Sequence, residues 1–164
     1  LAKPTGMWAS PLWSPPDTRG ESRIAFGVAV APSNSERSRY ALWTMDRDGG
    51  NKKQIFPTRD EDALTIAQVA WSPDSRYVIT AVHAPLDPPA VANDDPTFEV
   101  WALARDATVN ASLAKQTGMW AKPIWSPPDA RGESRIAFGS TLIPSNSERS
   151  RYALWTDCPK PQDR

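Results

Sequence analysis

One histidine, His83, and one cysteine, Cys158, are all that 164 residues offer for acid–base work near neutrality or for thiol chemistry. His83 closes a β-branched run that reads as a strand, so it is a packed or surface residue and not a catalyst. No Gly-x-Ser-x-Gly, His-Glu-x-x-His or Walker-type phosphate loop occurs. Ser112-Leu113-Ala114-Lys115 has the Ser-x-x-Lys spacing of serine–lysine enzymes, but it falls on a strand and not a helix start, and the companion motifs are missing. Asp46-Arg47-Asp48-Gly49-Gly50 sets two carboxylates at a tight turn, whereas calcium takes about six to eight oxygens. Asp60-Glu61-Asp62 and Asn93-Asp94-Asp95 read as solvated loops. No catalytic residue, metal ligand or cofactor is expected. What remains is eight tryptophans, whose flat apolar faces and donor edges suit sugars, peptides or cations.

The elements that would hold those tryptophans follow from composition. Lys+Arg and Asp+Glu are equal at 19, so the basic surplus usual in nucleic-acid binders is missing. No apolar run approaches the ~18 residues of a membrane helix. One cysteine makes no internal disulfide. Seventeen prolines oppose long helices. Short runs of Val, Ile, Tyr, Thr and Trp between Pro/Gly/Ser/Asp clusters predict an all-β chain.

Residues 1–44 repeat at 113–156. Eight differences leave 36 of 44 positions identical, and four of them lie together at Val28–Ala31 against Ser140–Ile143. The motif Trp13-Ser14-Pro15 returns as Trp71-Ser72-Pro73 and Trp125-Ser126-Pro127, so a diverged copy lies between two close ones. Matching Ser22–Phe26 to Ser75–Ile79, Tyr40–Trp43 to Phe98–Trp101 and Ile55 to Leu113 gives four strands per unit, a to d. They are predicted at 7–13, 23–30, 39–46 and 52–56; at 66–71, 76–83, 97–103 and 110–115; and at 119–125, 135–142 and 151–157. In the first b strand, Ile24, Phe26, Val28 and Val30 share one face and Ala25, Gly27 and Ala29 the other.

Four antiparallel strands repeated about every 50 residues describe a β-propeller blade. The phrase PLWSPPD…RIAFG…YALWTMDRDGGNKKQIF resembles the TolB-like, WD40-like propeller repeat, and Val69–Ser75 matches its first part. Ala104-Arg105-Asp106-Ala107 departs from that repeat's Asp-x-Asp-Gly turn, and Pro16–Glu21 and Pro128–Glu133 are insertions. The resemblance implies three blades over 1–157 (units 7–56, 66–115 and 119–157) before a tail at 158–164. It makes Asp46–Gly50 a c–d turn capped by aspartate, implies core positions for Trp13, Trp71 and Trp125, and points to a bacterial envelope or periplasmic setting. A β-sandwich of duplicated hairpin pairs is the competing fold.

Three blades do not close a ring, since propellers use about 4–8. Leu1-Ala2-Lys3 is identical to Leu113-Ala114-Lys115 of a d strand, while the third unit stops after strand c. The expectation is a homodimer in which Leu1, Ala2 and Lys3 of one chain pair beside the strand carrying Tyr152 and Leu154 of another, closing six blades. The bland reading is a piece of a longer propeller chain. The long b–c connections, 32–38, 84–96 and 144–150, gather on one face with the starts of the a strands. Trp8 and Trp120 either ring the channel mouth there or pack between blades, and Arg39 and Arg151 flank the same face. The leading expectation is a non-enzymatic scaffold for protein or peptide partners. The alternatives are a lectin-like or small-ligand binder, the propeller part of a peptidase, and a designed repeat protein without a ligand.

Overall fold

The computed structural model describes residues 10–31, 39–59, 65–83, 98–114, 122–143 and 151–157. Their regular structure is entirely β: β1 (Leu12–Trp13), β2 (Arg23–Ala31), β3 (Arg39–Asp46), β4 (Lys53–Phe56), β5 (Thr65–Trp71), β6 (Tyr77–His83), β7 (Phe98–Ala104), β8 (Asn110–Ala114), β9 (Ile124–Trp125), β10 (Ile136–Ile143) and β11 (Arg151–Asp157). They form three antiparallel sheets, ordered β1-β2-β3-β4, β5-β6-β7-β8 and β9-β10-β11. Strands β1 and β9 are short because Pro11 and Pro123 stand where β5 has Val69, and proline donates no ladder hydrogen bond.

The Trp-Ser-Pro motif sets each register. Ser14 N–H donates to the Arg23 carbonyl at 2.8 Å, and Arg23 N–H donates back to Ser14 Oγ at 2.9 Å. Ser72 with Tyr77 and Ser126 with Arg135 repeat this reciprocal pair. Trp13 therefore pairs with Ile24, Trp71 with Val78 and Trp125 with Ile136. This corrects the b-strand match by one residue: Ile24 corresponds to Val78 and not Tyr77, and Ala29 to His83. A one-residue slip exchanges the two faces of a strand, so the correction decides which residues meet the neighbouring sheet.

The second sheet lies between the other two. Ala25, Tyr40, Leu42, Ile55 and Phe56 of the first sheet bury against Ile66, Trp71, Val78, Val82 and Leu103 of the second. Ile79, Val100 and Ala102 on the opposite face of the second sheet bury against Ile136 and Phe138 of the third. The small Ala25–Gly27–Ala29 face of β2 is the one turned to the second sheet, where it leaves room for Tyr40, Leu42 and Trp71. The initial strands are neighbours in space: β1 touches β5, and β5 touches β9.

Trp13 departs from the expected core position. It is 53% exposed, while Trp71 is 7% exposed. Its ring stands on the same side of the hairpin as Ile24, which is itself buried at 8%.

The first interface carries polar bonds as well. Trp71 Nε1 donates to the Leu12 carbonyl at 3.0 Å, and Thr44 Oγ1 to the Arg105 carbonyl at 3.1 Å. Ser75 Oγ donates to the Pro15 carbonyl. Trp125 occupies the same motif position, yet its buried Nε1 has no acceptor among the described residues. Trp71→Phe and Trp125→Phe remove the same ring volume, but only the first breaks a hydrogen bond and only the second relieves an unsatisfied donor. Trp71→Phe is expected to cost about 1–3 kcal/mol more than Trp125→Phe, read from paired urea denaturation curves.

Candidate functional site

A cleft of about 550 Å³ is lined by Asp17, Gly20, Glu21, Ser22, Arg23, Asp46, Arg47, Asp48 and Arg105. The β1–β2 turn, the β3–β4 turn and the β7–β8 turn converge there. It lies at the opposite strand ends from the β2–β3 and β6–β7 connections.

Asp17 organises the cleft. Its Oδ1 accepts the N–H groups of Arg19 at 2.8 Å and Glu21 at 3.0 Å, which closes the inserted turn on itself. Gly20 holds φ at 77° in that turn, a left-handed value that glycine adopts without a Cβ clash. Asp17 Oδ2 lies 3.2 Å from Arg105 Nη1 of the second sheet. The two backbone N–H bonds hold the Asp17 carboxyl below its ordinary value; burial opposes them, and Arg105 adds lesser lowering contributions through its hydrogen bond and charge. The insertion in the third unit is built identically, with Asp129 Oδ1 accepting from Arg131 and Glu133 at 2.8 and 3.0 Å. These two backbone bonds likewise lower the Asp129 carboxyl, with Arg135 adding a smaller charge effect.

The remaining charges are partly committed. Arg23 Nε lies 3.3 Å from Asp46 Oδ1, and Arg23 Nη2 donates to the Asn51 carbonyl at 3.0 Å. Asp48 Oδ1 accepts Gly50 N–H at 2.8 Å, which matches the capping role that the sequence resemblance implied. A carboxylate held ionised like Asp17 is a poor proton donor at neutral pH, and the cleft lining holds neither histidine nor cysteine. Among the described residues, no group of three His, Cys, Asp or Glu side chains stands ready for a metal. Chemically the cleft joins two sheets through paired charges.

The residues singled out from the sequence lie elsewhere. Trp8, Trp120, Leu1, Ala2 and Lys3 fall outside the described residues, as do 32–38, 84–97 and 144–150. Arg39 is exposed at the start of β3, where it pairs with Ala31. In β11, Arg151 pairs with Ile143, Tyr152 with Thr141 and Leu154 with Gly139. His83 pairs with Thr65 and Phe98 at the end of β6. Ser112 pairs with Trp101 on β8, so Ser112–Ala114 lies in a strand as expected. The Asp17–Arg105 pair was missed. Its signal was available in the twice-written Asp-x-Arg-Gly-Glu insertion and in the Arg-Asp turn shared by Arg47-Asp48 and Arg105-Asp106.

No protein-family model, curated protein or solved structure matches the chain. No helix among the described residues is long and apolar enough to cross a membrane.

Because its carboxyl is lowered, Asp17 contributes stability above its unfolded value of 3.8, and that contribution is lost as pH falls through the lower folded value. Asp17→Asn keeps an oxygen for the turn but loses the charge facing Arg105; Asp129→Asn loses no such cross-sheet pair in the single chain. Asp17→Asn is expected to lower the urea midpoint more than Asp129→Asn at neutral pH, with the difference shrinking at high salt and below pH 3.8.

Proposed function

We propose that this chain is a non-enzymatic β-propeller scaffold that assembles with a second copy into a closed six-bladed ring and presents its loop face to a protein or peptide partner. The observation that carries this reading is the repetition of one sheet design three times, stacked in chain order with β1, β5 and β9 side by side. Such a stack is what blades set around an axis would give, which supports the reading. The reciprocal serine bonds recur in all three units, which argues for one repeated module over a two-layer sandwich.

Closure has a physical motive. In β8, Leu113-Ala114 borders β7, with Ala114 paired to Val100. Leu1-Ala2-Lys3 has the same sequence as Leu113-Ala114-Lys115, and β11 has no outer neighbour among the described residues. An exposed strand edge recruits another strand. Pairing of residues 1–3 with β11 of a second copy, in both directions, completes two blades and gives the ring two-fold symmetry.

Light scattering behind a sizing column is expected to give about twice 18.1 kDa across a wide concentration range. Deleting residues 1–3 is expected to shift the population toward monomer. A wild-type monomer at every concentration would overturn the ring.

A further inference from the structure

The interface between the first and second sheets supplies a template for contact between chains. In it, Trp71 and Arg105 of the second sheet meet the Leu12 carbonyl and Asp17 of the first. The third unit is a near copy of the first, so its outward face repeats the receiving side: Ile124 stands for Leu12, Asp129 for Asp17, Ala137 for Ala25 and Gly139 for Gly27. On the first sheet's outward side Trp13 stands for Trp71 and Arg47 for Arg105, both exposed, while Ile24, the counterpart of Val78, is already buried at 8%.

These two faces lie at opposite ends of the stack. Ile124 and Trp13 are 56% and 53% exposed, among the largest apolar exposures of the described residues. Arg47 and Asp129 are also exposed. Asp129 is already held ionised by the turn that presents Asp17 to Arg105. The charges are complementary, and the geometry that would join them exists once within the chain.

We propose that the Trp13–Arg47 face of one copy docks on the Ile124–Asp129 face of a second copy, with Trp13 Nε1 donating to the Ile124 carbonyl and Arg47 pairing with Asp129. This inference rests on the self-assembly reading above and names the surfaces that carry it. The contact is heterologous, so it closes where the rotation between copies permits and otherwise propagates.

Trp13→Ala tests the anchor. Trp13 is half-exposed within the chain, so the variant keeps its circular dichroism spectrum while association weakens about 30-fold or more. Arg47→Glu and Asp129→Arg test the charge pair, each weakening association about tenfold at low salt. Mixing the two single variants restores assembly, because every contact between unlike chains is then Arg47 with Asp129 or Glu with Arg. The double variant R47E/D129R restores it in a single chain type. A wild-type dimer indifferent to all of these changes would overturn the docking proposal while leaving the ring standing. Open-ended assemblies that respond to them would support the docking and overturn ring closure. A wild-type monomer would overturn both.

Discussion

The hydroxyl after each motif tryptophan is the constraint on which the rest of the structure depends. Ser14, Ser72 and Ser126 accept an N–H at the start of the following strand or just before it, and donate their own N–H to the same residue's carbonyl. Two bonds closing one small ring leave the hairpin a single register. With that register Ala25 turns toward the second sheet and Ile24 away from it. One residue of slip would put the large side chains of β2 where the gap between sheets admits only small ones. The proline that follows each serine cannot extend the ladder, so the strand stops where the hydroxyl is needed.

Near-identical sequences meet unlike neighbours here. The first and second sheets are joined by apolar packing and by polar bonds from Trp71, Ser75, Thr44 and Asp17. Between the second and third sheets the core is made by Ile79, Val100, Ala102, Ile136 and Phe138, with Gln68 reaching the Pro123 carbonyl at a long 3.4 Å. Trp125, the copy of Trp13, is half-buried between sheets while Trp13 faces outward. The side chain is the same; its environment is set by the sheet that stands next to it.

This difference bears on function. The charged cleft joins two sheets of the same chain, while Trp13 and Ile124 stay exposed on the first and third sheets. Tryptophan with an indole donor is well suited to joining sheets, since it fills a gap between them and also bonds a carbonyl on the far side. In the proposed ring the same design serves within the chain and between chains.

How much was legible in advance follows from the range of each interaction. Strand positions were read to within a residue or two for β2, β3, β4 and β5–β8, because alternation and turn residues are local. The Asp46–Gly50 turn was legible for the same reason. The a strands of the first and third units were carried through residues 10–11 and 122–123, where Pro11 and Pro123 break the pairing, and the b strands were matched one residue out, since an insertion conceals which N–H meets the serine. The recurring motifs mark Asp17 and Arg105 separately but not as partners, because they lie 88 positions apart and only stacking brings them together. The sequence by itself determined an all-β chain of three related units, as period and turn chemistry are written residue by residue. The tertiary structure decided which face of each sheet is covered, which tryptophan finds an acceptor and where the charges meet, because those depend on the neighbour across the interface.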